Sequence, residues 1–195
     1  TEGDFPVSSV NDGRGDDTQN DNYRWFSKEA LKGSGARGNA AYLIFDLGEN
    51  GPRSFSGIDI RFHNMAYATN YKILTTDNST ITTESLLAKD RVPEGWKVLY
   101  EKTHQETDSA YPKDHFEGKT EVGRYVMFFF TSMNSRAGLN SVSVREVQIW
   151  HKAITNVTMS ASTLDLKAGD EAQQLTATVT PEDATYKAVE WSSNN

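Results

Sequence analysis

Between residues 11 and 25 the chain reads NDGRGDDTQNDNYRW. Asp12, Asp16, Asp17 and Asp21 crowd this stretch, with Thr18 among them and Gly13 directly after the first aspartate. Calcium takes about six to eight oxygen ligands from carboxylates, carbonyls, amides and water. A glycine lets the backbone turn its carbonyls inward around such an ion. The spacing is not that of an EF-hand loop, so a cage built here needs a distant residue to close it. The same composition also makes ordinary turns, because Asp and Asn side chains bond to their own backbone. Composition leaves both readings open. The triplet Arg14-Gly15-Asp16 is short enough to arise by chance, and no adhesion function is assigned to it.

Other chemistry finds little support. The chain has no Gly-x-Ser-x-Gly elbow, no His-Glu-x-x-His, no phosphate-binding glycine run and no cysteine, so a thiol nucleophile and a disulfide framework are both excluded. A carboxylate pair for glycosidic hydrolysis is a matter of distance in space and is not legible among 27 acidic residues. The formal charge of -7 describes an acidic surface that repels phosphate backbones and anionic lipid, so neither nucleic acid nor membrane insertion is expected. The longest apolar run, Val126-Met127-Phe128-Phe129-Phe130, is far too short to cross a bilayer as a helix.

The elements that must carry any site are strands. The stretch AYLIFDLG at 41–48 reads as a buried strand ended by Gly and Asn. Ile58, Ile60 and Phe62 alternate, which turns Asp59 and Arg61 to the opposite face. Tyr71, Ile73 and Thr75 alternate, as do Trp96, Val98 and Tyr100. One or two helical turns are expected over 84–89. Residues 101–119 read as a long polar connection containing Tyr111, His115 and Phe116. The apolar segment 123–131 and the run of Val142, Val144, Val147 and Ile149 complete a set of at least six strands. Such a count with almost no helix predicts an all-β sandwich.

The texture changes at about His151. Val157 and Met159 alternate, Leu164 and Leu166 alternate, Gly169-Asp170 makes a turn, and Leu175, Ala177 and Val179 form a further strand before Thr-Pro. The expected division is a first module over 1–151 and a second β-unit over 152–195, joined by a short hinge. A sheet of three or four strands needs a partner to cover it, so the native polypeptide is expected to continue.

Taken together, Asp12-Gly13, Trp25-x-Ser27, Asp46-Leu47-Gly48, the run YKILTTD at 71–77, Gly95-Trp96-Lys97-Val98, Gly123-Arg124-Tyr125-Val126 and VREVQI at 144–149 resemble the coagulation factor 5/8 type C, or discoidin, family, whose bacterial members are carbohydrate-binding modules. The tail, with LDLKAGD at 164–170, LTATVTP at 175–181 and VEWSSN at 189–194, resembles the front half of a bacterial Ig-like domain of group 2. The resemblance implies a galactose-binding-like jelly-roll sandwich followed by a partial Ig-like sandwich. It further implies a noncatalytic fragment of a larger secreted or surface glycoside hydrolase, placed outside the cell, in the periplasm or on the surface of a bacterium.

Its implied cofactor is one structural calcium. Matched position by position, Asp12 and the closing Glu146 are ligands, Thr18 contributes, and Asp16, Asp17 and Asp21 compete for the remaining place. The interval from Asp12 to Trp25 is longer than the family's usual one. The implied partner is an oligosaccharide or polysaccharide of galactose or N-acetylhexosamine type, besides the other domains of the same polypeptide. A sugar site needs an aromatic wall and directed hydrogen-bonding groups. The expected ligand-binding residues are His63, Asn64, Tyr67 and Asn70 in the segment 63–70, His115 and Phe116 in the polar connection, and Arg136 in the late loop. Trp25, Trp96 and Tyr125 read as core. The late loop lacks an aromatic, so Tyr23, Trp96, Tyr111 or Phe116 would supply the platform. The alternative function is a structural or protein-contacting module with the Ig-like unit as spacer.

Overall fold

The structure, a computed structural model, describes residues 10, 11, 13, 24–27, 41–48, 53–77, 91–104, 112–134, 141–182 and 184–192, with the side chain of residue 119 left aside. The helical turns expected at 84–89 lie outside these residues. Ten strands are described: β1 (Trp25–Phe26), β2 (Ala41–Asp46), β3 (Arg53–Phe62), β4 (Ala68–Thr76), β5 (Lys97–Thr103), β6 (Lys113–Gly123), β7 (Tyr125–Met133), β8 (Ser143–Trp150), β9 (Asn156–Met159) and β10 (Ala177–Thr180). The first eight form two four-stranded antiparallel sheets, in the orders β1-β8-β3-β6 and β2-β7-β4-β5. The expected all-β, jelly-roll-like sandwich is the observed architecture.

Period-two alternation builds the core between the sheets. Ile58, Ile60 and Phe62 are completely buried and face Tyr71, Ile73, Phe128 and Phe130 in one continuous cluster. Phe62 meets Tyr71 edge to face at 5.4 Å and Phe130 at 6.1 Å, geometries that favour aromatic quadrupoles beyond simple area burial. The unbroken apolar run at 126–130 has a different cause. Val126, Phe128 and Phe130 point inward, whereas Met127 and Phe129 join Leu74 on the outer face of the second sheet, packed against Tyr42, Ile44, Val92 and Trp96. A strand buried on both faces needs no polar alternation. Trp96 therefore packs on the outside of a sheet, just ahead of β5, while Trp25 lies in the main core.

Two expectations about loops are corrected. The polar connection at 101–119 is in large part strand: β5 runs to Thr103, and β6 begins at Lys113. Among the described residues β6 is an edge strand, paired with β3 alone, and charged side chains on an open side are how edges avoid further pairing. Its polar composition therefore marks an edge, not a loop. The segment read as a loop over 63–70 is shorter, because β4 starts at Ala68.

In the second unit β9 and β10 pair antiparallel, with Val157 opposite Val179. Leu164 and Leu166, expected as strand, lie outside any strand and are 43% and 56% exposed. Among the described residues no further strand pairs beside them, so alternation there has no ladder to join.

Gly57 shows how tightly the first sheet is covered at one point. It follows a register shift in β3 between Phe55 and Gly57, and the indole of Trp150 lies across it. A Cβ at this position would sit 2.0 Å from Trp150 Cζ2, so only glycine admits the ring.

Candidate functional site

The end of the sandwich where β3 runs into β4 gathers most of the polar segments. His63 N–H donates to Ser143 O at 3.0 Å and Ser143 N–H to Ala66 O at 2.7 Å, which ties the turn at 63–67 to the start of β8. Tyr67 and Asn134 are joined twice: Asn134 N–H donates to Tyr67 O, and Tyr67 N–H donates to Asn134 Oδ1, both at 3.1 Å. Phe62 N–H reaches Pro112 O at 2.8 Å, His104 N–H reaches Thr69 O at 2.7 Å, and Ser27 N–H reaches Val142 O at 2.9 Å. Residues 27, 104, 112, 134 and 141 thus all lie at this end, on a frame whose backbone groups are mutually satisfied. Loops carried on such a rigid frame are where binding groups are commonly placed.

Beneath this end lies a buried polar cluster that the sequence reading did not identify. Asp114, 5% exposed, accepts from Tyr71 Oη at 2.5 Å, from His104 Nε2 at 2.6 Å and from Lys102 Nζ at 3.2 Å. His104 stacks on Tyr71 with a centroid separation of 6.3 Å and meets Tyr67 and Phe62 edge on. The cluster bridges the open seam of the sandwich, since β5 and β6 are edge strands of different sheets. Burial by itself would raise the Asp114 pKa, but the hydrogen bonds from His104 and Tyr71, with the positive partners, outweigh it and hold the carboxyl below its ordinary value. Burial first, and the neighbouring carboxylate second, push the Tyr71 hydroxyl far up, so it stays a proton donor. A signal existed in the pattern: Lys102 on β5 and His104 just after its end are two apart, as are Asp114 and Phe116 on β6. That the two pairs meet across sheets is not written in either spacing.

The outer face of the first sheet carries the second polar group. Asp59, Arg61, Lys113, Glu146 and Gln148 line a pocket together with Ile60 and Gly13. Arg61 stands directly across from Glu146 in the ladder, and Asp59 stands between His115 and Gln148. Glu146 is 9% exposed, and Gly13 has φ of +76°, the left-handed region that glycine tolerates. The structure therefore brings Gly13 to the same pocket as Glu146. Among the described residues no group of three His, Cys, Asp or Glu side chains is close enough to hold a metal. Asp12, Asp16, Asp17, Thr18 and Asp21 lie outside the described residues, as does Arg136.

The remaining sequence-predicted residues are not gathered into one place. His63 is buried, its Nδ1 accepting from Met65 N–H at 3.2 Å, and Asn64 beside it is half-buried. Tyr67 is completely buried within the main core. Asn70 lies on the exposed face of β4, its amide donating to Ser132 Oγ at 2.7 Å and accepting from Thr103 Oγ1 at 2.8 Å. Phe116 packs against the core, its ring tilted against Tyr100 with centroids 4.7 Å apart.

His115 is exposed on the outer face of the first sheet, its ring parallel to Trp150 at 5.8 Å and its Nδ1 2.7 Å from Asp59 Oδ1. The hydrogen bond with Asp59 raises the imidazole pKa against the opposing effect of burial, and the charges of Asp59 and Glu117 add to the rise. The imidazolium's contribution to stability is therefore complete below the unfolded value of 6.5 and is lost as pH rises through the higher folded value. An NMR titration of the ring protons is expected to give a midpoint above 6.5, and Asp59→Asn is expected to bring it back down. An unchanged midpoint in the variant would show that Asp59 is not the cause.

Comparison with known proteins places this geometry. Residues 153–195 match the family of bacterial Ig-like domains, group 2. The chitosan-binding module 1 of a chitosanase/glucanase from Paenibacillus sp. IK-5 is similar over 76% of this chain and 87% of its own, at 18% identity and a TM-score of 0.52. The module CpGH89CBM32-5 of Clostridium perfringens, solved with GalNAc-β-1,3-galactose, is similar over 76% of this chain and 86% of its own, at 12% identity and a TM-score of 0.50. No curated protein matches the chain. The class is thus defined by fold: a jelly-roll-like β-sandwich similar to these two solved modules. In this chain that sandwich is followed by a segment, residues 153–195, that matches the group 2 bacterial Ig-like family.

Proposed function

We propose that the first module binds a glycan without catalysing its conversion, and that it does so at the end framed by the 63–67 turn and residues 27, 104, 112, 134 and 141. The observation that carries this reading is the convergence of those segments on a rigid, hydrogen-bonded frame, in a fold shared with sugar-binding modules. Asn64 is the described side chain best placed to meet a sugar hydroxyl there, because it is half-exposed beside the buried His63. Arg136 is proposed as its cationic partner. The ligand class is a neutral hexose of galactose or N-acetylhexosamine type within an oligosaccharide or polysaccharide. The module's role is to hold a larger secreted or surface bacterial glycoside hydrolase near its substrate, raising the local concentration of attached domains.

A structural calcium belongs to the same proposal. The donor chemistry fits: a nearly buried carboxylate at Glu146 borders one pocket with Gly13, and the stretch around that glycine is rich in oxygen donors. Asp12 and Glu146 would hold the ion, with Asp16, Asp17, Asp21 or Thr18 completing the shell. Its contribution would be to pin the polar stretch to β8.

The test is a glycan array with the full chain, followed by affinity electrophoresis against the best hits. Retardation that free galactose or N-acetylgalactosamine removes is expected. Asn64→Ala is expected to weaken binding about three- to tenfold, the cost of about one neutral hydrogen bond. A blank across broad galactose, hexosamine and chitosan panels by a correctly folded sample would overturn the reading.

A further inference from the structure

We propose that Pro181, Ala184, Thr185 and Tyr186 of the second unit form a latch that seats on the irregular stretch of β3 and locks the two modules into one rigid body. The two modules are already joined covalently through residues 151–155, and a single short connection of that kind would leave rotation free. A second attachment point removes it. The structure supplies that point.

Thr185 is its centre. Lys152 N–H donates to Thr185 Oγ1 at 2.6 Å and Thr185 N–H donates to Lys152 O at 2.9 Å, so the segment leaving the first module and the latch are tied reciprocally. The Thr185 hydroxyl also shares a hydrogen bond with Ser56 Oγ, which in turn lies 3.2 Å from Thr120 Oγ1 on β6. Ser56 sits at the register shift between Phe55 and Gly57, where the ladder of β3 is broken. Bulged positions re-aim side chains out of the regular pleat. Tyr186 completes the seat, its hydroxyl donating to Ser54 O at 3.1 Å and its ring meeting His151 edge on at 5.5 Å. The turn that presents these groups is closed by Ala184 N–H to Pro181 O at 3.0 Å.

Burial points the same way. Among the described residues of the second unit, Ala184 and Thr185 alone are buried, at 1% and 8% exposure, while Val157, Leu166 and Trp191 stand about half exposed. What the second unit buries is thus its contact with the first. The buried hydroxyls are each satisfied across that contact, so separating them exposes polar groups made for each other. Because the chain leaves the sandwich after Trp150, at the end opposite the 63–67 turn, the latch holds that turn pointing away from the second unit. The inference does not depend on the glycan reading.

The test is heteronuclear NMR on the full chain, using residual dipolar couplings and 15N relaxation. One alignment tensor and one rotational correlation time are expected for amides of β1 to β10. Two variants probe the seat from opposite sides: Ser56→Ala, which leaves the second unit's chemistry intact, and Thr185→Val, which keeps its shape. Each is expected to split the tensor in two and shorten the correlation time of β9 and β10 amides, while the cross-strand contacts of Val157 with Val179 persist. Thr185→Ser, which keeps the hydroxyl, is expected to retain a single tensor. Two tensors in the unaltered chain, or a single tensor in either disrupting variant, would overturn the proposal.

Discussion

Replacing Asp114 by alanine is expected to cost about 3–5 kcal/mol of stability, the range for removing one partner from a buried ionic network and leaving the others uncompensated. Three donors converge on this carboxylate, and two of them, His104 and Tyr71, are themselves buried. With Asp114 gone, the His104 ring and the Tyr71 hydroxyl lose their acceptor while remaining enclosed by Phe62 and Tyr67. The seam between β5 and β6 has no backbone ladder to take up the loss, since the two strands belong to different sheets. Urea unfolding should show the change as a lower midpoint at nearly constant slope. Asp114→Asn keeps an acceptor oxygen and should cost less, about 1–3 kcal/mol. A loss under about 1 kcal/mol for the alanine variant would show that the cluster is not a structural clasp.

The same carboxylate sets an acid limit. Its folded pKa lies below the unfolded value of 3.8, so its contribution is complete above that value and is lost as pH falls through the folded one. The unfolding free energy of Asp114→Asn should accordingly fall less steeply with pH in that window than that of the parent chain.

Removing calcium should have the second large effect. An ion that binds only the native state stabilises it by about 2.7 kcal/mol when free calcium exceeds its Kd about a hundredfold. At about 2–4 °C per kcal/mol for a domain of this size, chelation is expected to lower Tm by about 5–10 °C, and added calcium to restore it. Glu146→Gln, which removes the anionic donor beside Gly13, should abolish the difference between chelated and loaded samples. Arg61 faces Glu146 directly across the ladder and offers a different counter-charge. If that pairing alone balances Glu146, chelation of a verified metal-free sample will leave Tm where it was, and the calcium assignment falls.

Much of the sandwich was legible because its strands obey local rules. Ile58, Ile60 and Phe62 alternate with Asp59 and Arg61 as a half-buried strand must, and they are found in the core and on the outer face respectively. The apolar run at 126–130 marked a strand without alternation, which is what a strand covered on both sides looks like. β6 was misread because an edge strand protects itself with charge, and charge along a segment reads as loop until its neighbours are known.

The site was legible only in part. The resemblance pointed to Glu146 and composition to the stretch that contains Gly13; of these, Glu146 and Gly13 themselves border one pocket. The sequence also pointed to Tyr67 and Phe116 as exposed aromatics, whereas both rings pack inward.

The sequence by itself determined the all-β class and the inward residues of the regular strands, because period-two alternation and turn chemistry are local properties. Only the tertiary structure decided which polar residues meet. Asp114 joins His104, Lys102 and Tyr71, and Thr185 joins Ser56, through the packing of one sheet edge on another and of one module on the next. Such distances depend on sheet order and register, which no single strand's spacing contains.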